Sequence, residues 1–198
     1  MGVVAVAVGL GLLAGLLRGG RPASVTAPDL RLLPLLLAGV VLQLVPELLG
    51  VDGALATVAV VGSSLCLAGF ALANVGLAGM PIVLLGLVLN AAVILPNGGM
   101  PVRASAVVEA GIVEPQEVAA IDVGSRRHLE RDDDVLVVLG DVIPVAPLRE
   151  VVSVGDLVLA AGLGIVAFRL LRPRADAARS SSRAAGSSRM DGSAGRAP

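Results

Sequence analysis

Five long apolar runs dominate the chain: Met1 to Leu17, Leu32 to Leu49, Ala54 to Ala73, Leu77 to Leu95 and Val154 to Leu171. A bilayer core about 30 Å thick needs roughly 17 to 25 apolar residues per helix. The first run is marginally long, and the last is interrupted only by Asp156 and Arg169 near its ends, where both side chains can reach the interface. So much apolar surface cannot be hidden inside a soluble domain of 198 residues. Composition agrees, with 56% hydrophobic residues, 16% charged residues and a mean hydropathy of +0.90. The expected fold class is all-α: a polytopic transmembrane helical bundle of about five spans, with one long outer loop, in a lipid bilayer.

The expected organisation follows from the connections. Residues 1–95 hold four transmembrane helices, and the tight links Gly50 to Gly53 and Asn74 to Gly76 make helices two, three and four consecutive antiparallel hairpins. Residues 96–150 form an extracytoplasmic loop, 151–172 a fifth transmembrane helix, and 173–198 a disordered Arg/Ser-rich cytoplasmic tail. A cleaved signal peptide is the rival for the first run. It lacks a positive n-region, and Arg18, Arg21 and Arg31 follow it, which suits a retained helix with its N-terminus outside. Gly11 and Gly15 have GxxxG spacing, read as close packing within the bundle rather than as a dimer motif.

All 15 basic residues are Arg, and their placement sets the orientation. Ten fall on one side (Arg18, Arg21, Arg31 and the tail set from Arg169 to Arg196), whereas the other five lie among ten acidic residues in the long loop. The positive-inside rule puts the N-terminus outside and the tail in the cytoplasm of a cell inner membrane. Nucleic-acid binding has no support, because the Arg-rich tail carries no aromatic residue for stacking. The single cysteine, Cys66, excludes an internal disulfide and a Cys-rich metal site.

The outer loop is the least generic part. Pro96 to Val102 is a stack of turn formers, and Ser105 to Ile112 and Glu117 to Val123 read as short amphipathic helices. Arg126 to Asp134 is a mixed charge run, ordinarily a solvated surface. The apolar stretch 135–148 is too short to span and carries Gly140, Pro144 and Pro147, so it is re-entrant, interfacial or packed on the bundle. Asp141 within it needs a partner, and Arg103 and Arg149 are nearest by topology. Ser153 with Asp156 three positions later is a capping-box pattern opening the last helix.

Uncharged polar residues in the helices are Gln43, Ser63, Ser64 and Asn90. They serve either as interhelical hydrogen-bond glue or as the lining of an outward-facing vestibule roofed by the Asp141 segment. The candidate functional polar cluster is Asp141, His128, Asn97, Asn90, Gln43 and Asp156. An acid/base pair of His128 and Asp141 requires folding to bring them together. Gly140-Asp141 and Gly155-Asp156 only partly match the GxGD pattern of intramembrane aspartyl proteases, since Val138 and Ser153 stand where its first glycine would be. No pattern for a catalytic residue, cofactor or metal is present. Transporters place charges or broken helices near the midplane, whereas no charge stands there in this chain and the internal helix break Met80-Pro81 lies near the cytoplasmic end of helix four. The expectation is a non-catalytic membrane component that binds a membrane-protein partner or lipid through its outer loop. A small-solute transporter or channel subunit is the alternative, and a membrane-embedded hydrolase is less favoured.

The motifs Asn97-Gly98-Gly99-Met100-Pro101-Val102, His128, Leu139-Gly140-Asp141-Val142-Ile143-Pro144 and Ser153-Val154-Gly155-Asp156 carry a resemblance over residues 1–172. The chain resembles a family of small, mainly actinobacterial membrane proteins known only as a domain of unknown function. The resemblance implies a multi-pass inner-membrane protein and transfers no chemistry.

Overall fold

The computed structural model describes residues 2–20, 30–51, 53–124 and 126–171. The expected disordered tail, 173–198, lies outside the described residues. The fold is mostly helical: α1 (Gly2–Leu17), α2 (Leu33–Leu49), α3 (Ala54–Ala73), α4 (Met80–Asn97), the short α5 (Ala104–Glu109) and α6 (Val154–Leu170). Pro34 and Pro81 sit in the first turns of α2 and α4, where a missing N–H costs nothing. Pro81 therefore starts α4, correcting the expected helix break at Met80-Pro81.

The long helices pack in the order α1, α6, α4, α3, α2, so α6 is wedged between the first and fourth helices. Small residues permit this. A Cβ on Gly11 would overlap the backbone oxygen of Gly164, so α1 and α6 touch backbone to backbone there. The Gly11 and Gly15 pair thus packs within the chain, with Gly15 against Leu171 and Phe168. Between α2 and α3, the Ser63 hydroxyl donates to the Gly39 carbonyl at 2.9 Å. The outward faces are apolar, with Val58 67%, Leu65 68% and Leu85 52% exposed. Among the described residues, α4 is the one helix long and apolar enough to cross a membrane; Gly2–Leu17, Leu33–Pro46 and Val58–Ala73 are shorter apolar helices.

The connection between α4 and α6 is a folded unit rather than a helical loop, which corrects the all-α expectation. Strand β1 (Met100–Val102) pairs in parallel with β2 (Arg127–Leu129), and β3 (Ile143–Val145) pairs antiparallel with β4 (Glu150–Val152). Its own core joins Val102, Ala106, Val107, Ala110 and Val151, with Ile112, Val113, Ile121 and Val123 around them. The helix expected at Ser105–Ile112 is α5, while that expected at Glu117–Val123 is only a 3-10 turn, Pro115–Ala120. The stretch 135–148 folds as two 3-10 turns flanking β3 and packs on this unit.

This unit, called the outer unit because it lies beyond the ends of the long helices, also holds α1. The Glu150 carboxylate accepts the backbone N–H groups of Gly2 (2.7 Å) and Val3 (3.2 Å), two of the donors a helix start leaves unpaired. The start of α1, the end of α4 and the start of α6 therefore meet the same unit.

Candidate functional site

The junction of α4 and α6 is a closed ring of hydrogen bonds. The Ser153 hydroxyl accepts the Asp156 N–H at 2.9 Å and donates to Asn90 Oδ1 at 2.9 Å. Asn90 Nδ2 donates to Asp156 Oδ1 at 2.7 Å, and Asp156 Oδ2 accepts the Ser153 N–H at 3.3 Å. The expected capping box is present, and Asn90 from the neighbouring helix completes it. Gly155 is dictated by the same contact, because a Cβ there would overlap the Asn90 amide oxygen. The segment Ser153-Val154-Gly155-Asp156 is thus accounted for by capping and helix docking.

Asp141 is the buried acid of the outer unit, with no exposed surface. Its N–H donates to the Pro101 carbonyl at 2.9 Å, and its carbonyl accepts the Arg103 N–H at 3.0 Å, stitching it alongside β1. Gly140 fits because Pro101 O would lie 2.8 Å from any Cβ there. The charged partner is Arg127, whose Nε lies 3.0 Å from Asp141 Oδ2, rather than the expected Arg103 or Arg149. Those two are engaged elsewhere: Arg103 Nε with Glu130 at 3.1 Å, and Arg149 with the carbonyls of Gly111 and Ile112. The Arg127 approach is poorly aligned, so neither Asp141 oxygen accepts a hydrogen bond among the described residues. Burial pushes this carboxyl up to about 7, outweighing the Arg127 guanidinium, and the Asp156 charge acts in the same upward direction.

His128 and Asn97 do other work. His128 Nε2 lies 2.9 Å from Asp134 Oδ1 and 3.1 Å from Oδ2, so His128 is paired with Asp134 and not with Asp141. Desolvation acts upward on Asp134, yet the Arg131 N–H and His128 hold its carboxyl below the ordinary value. Asn97, at the end of α4, grips Val135 at both backbone groups: Nδ2 donates to its carbonyl and Oδ1 accepts its N–H, each at 2.9 Å.

Gln43, Asn90, Asp156 and Asp141 line one cavity of about 400 Å³ beneath the outer unit, which His128 and Asn97 do not reach. Its wall on the side of the outer unit carries Arg126, Arg127 and Glu150, and the helices line it with polar and apolar residues together: Gln43, Ser63, Ser64, Asn90 and Asp156 beside Val60, Leu87 and Leu159. Val3 of α1 and Gln43 of α2 both face it, yet α1 packs on α6 and α2 on α3, so these two lining helices make no extended contact with each other. Sequence reasoning missed Arg127 and Glu150. Arg127 sits in a charge run that reads as solvated surface, and the pairing of Glu150 with α1 joins residues 148 apart in the chain. Among the described residues no group of three or more His, Cys, Asp or Glu is placed to hold a metal ion.

The profile of a family of unknown function, DUF5317, matches residues 27–168. No curated protein and no solved structure matches the chain.

Proposed function

The chain belongs to the DUF5317 family, and from its own residues we propose that it is a non-catalytic, multi-pass membrane protein that binds a lipid beneath its outer unit. The cavity of about 400 Å³ carries this reading. It has a charged roof, and its helical walls mix the polar Gln43, Ser63 and Ser64 with the apolar Val60, Leu67 and Leu159, a lining that takes a polar lipid head and its first chain segments. The unpacked α1–α2 side gives the chains a lateral way into the bilayer. Helices of 16 to 20 residues measure about 24 to 30 Å, a length that a modestly thinned bilayer or snorkelling ends accommodate. In α4 only 22% of the spanning window is buried, far below what the core helix of a soluble protein requires.

The test is extraction of lipid from protein purified in mild detergent, comparing the wild type with Ser64→Phe, which fills the cavity from α3. Lipid retained by the first and lost by the second supports the reading. Equal retention by both, or none by either, removes it. The same outward-facing cavity also suits transport of a small solute. That second reading gains if the purified protein carries no lipid yet moves solute across a vesicle membrane.

A further inference from the structure

Among the described residues, three arginines and three acids line the cavity beneath the outer unit: Arg126, Arg127 and Arg149 against Asp141, Glu150 and Asp156. Their signs balance, so such a lining selects neither a bare anion nor a bare cation. Four of the six are engaged in holding the fold. The Glu150 carboxylate caps the start of α1, and Asp156 closes the ring with Asn90 and Ser153. Arg149 donates to the carbonyls of Gly111 and Ile112, and Arg126 is engaged too. One residue of each sign is left, Arg127 and Asp141.

These two meet without satisfying each other. Arg127 Nε stands 3.0 Å from Asp141 Oδ2, yet neither carboxyl oxygen accepts a hydrogen bond among the described residues. A carboxyl with no exposed surface and no donor is costly to fold, so a group left in this state calls for a partner. The Arg127 side chain is 43% exposed and screens that carboxyl from the cavity both residues line. Turning its guanidinium aside breaks no well-aligned hydrogen bond among the described residues, so a better donor can take its place at Asp141.

We propose that Arg127 and Asp141 together bind a dipolar group, with phosphodiester oxygens on the Arg127 guanidinium and a primary ammonium on the Asp141 carboxylate. The inference rests on the lipid reading above and names its head, an ethanolamine phosphodiester. Charges then alternate in sign from Asp141 through ammonium and phosphate to Arg127. The ammonium supplies the N–H donors that Asp141 lacks, and Arg127 exchanges a misaligned contact for the two-pronged grip on phosphate that suits a guanidinium. A choline head carries the same charges but no N–H, so it leaves the carboxylate unpaired. A glycerol head offers hydroxyl donors but no cation to neutralise Asp141.

The test is native mass spectrometry of the full chain in detergent, titrated in turn with phosphatidylethanolamine, phosphatidylcholine and phosphatidylglycerol of identical acyl chains. Isothermal titration with soluble glycerophosphoethanolamine, the same head without chains, is run beside it. The expected result is that phosphatidylethanolamine binds roughly tenfold more tightly than the other two, the effect of one charge-assisted hydrogen bond gained or lost. Asp141→Asn, which keeps the shape, should shrink that preference, whereas Arg127→Gln should weaken the ethanolamine and choline lipids together. Equal binding of those two lipids by the wild type overturns the head assignment and leaves the lipid reading intact, as does phosphatidylglycerol bound as tightly as phosphatidylethanolamine. A full preference kept by Asp141→Asn overturns the role of Asp141. Binding of glycerophosphoethanolamine with no lipid bound supports the dipolar site and removes the lipid reading. Binding of none removes both. Should a variant fail to fold, the comparison of the three lipids on the wild type decides alone.

Discussion

Asp141 has a folded-state carboxyl raised to about 7 from 3.8, so the folded chain holds its proton more tightly than the unfolded chain does. The stability this supplies is complete below about pH 4 and is lost as pH rises through about 7. Expressed as free energy it is at most about 4 kcal/mol. Asp141→Asn removes the titration while keeping the shape. Melting temperatures of the variant are expected to stay level between about pH 4 and 8, whereas those of the wild type fall. At the alkaline end the variant should be the more stable of the two. Thermal melts in one detergent across that range check it, and an unchanged pH slope in the variant would assign the titration to another group. Asp141→Leu should lower stability at every pH, because it sets an apolar group of the same branched shape beside the Arg127 guanidinium in place of the carboxyl. That the acid is buried and needs a partner was legible from its place in a short apolar run with Gly140 and Pro144. Its partner was not, because Arg127 arrives only through the parallel pairing of Met100 with Arg127, a contact between strands of three residues each that leave no periodicity to read.

Elements dock here through small residues and a cap. Gly155 and Asn90 form the tightest such contact, since a methyl group at 155 would overlap the Asn90 amide. Gly155→Ala is expected to lower stability by about 1 to 3 kcal/mol, the ordinary cost of forcing extra volume into a packed contact. Asn90→Ala alone should also destabilise, because it leaves the Ser153 hydroxyl and Asp156 without their cross-helix partner. The double variant should recover part of the loss, as the added methyl then occupies the space the amide vacates. Melts of the two single variants and the double variant decide this, and strict additivity would mean that the residues do not meet. At this scale the long helices were legible, because uninterrupted apolar runs with Gly or Pro at their borders admit little else. The sheets of the outer unit were not. Their strands carry prolines at Pro101 and Pro144, and proline ordinarily argues against a paired strand.

For the molecule as a whole, the Arg distribution and the contacts of the outer unit bear on the same question. In the proposed membrane reading, ten Arg against five, with acidic residues crowded around the five, favours an outer unit on the side away from the cytoplasm. Independently, the Glu150 carboxylate accepts the first N–H groups of α1, so the start of the chain lies on the same side as residues 96–150. Partial burial pushes Glu150 upward, but those N–H groups win and hold its carboxyl below the ordinary value, so the cap is charged at neutral pH. If all five long helices cross, as the proposed reading has it, their alternation puts the two ends of α6 on opposite sides. The expected topology is therefore N-out and C-in with five crossings. Alkaline phosphatase inserted near Glu117 should be active and a fluorescent protein there dark, while after Arg174 the pattern should reverse. Phosphatase activity after Arg174 together with fluorescence near Glu117 would invert the orientation but keep the helix count. Phosphatase activity at both positions would instead put both ends of α6 on one side, and the five-span topology would fall with it.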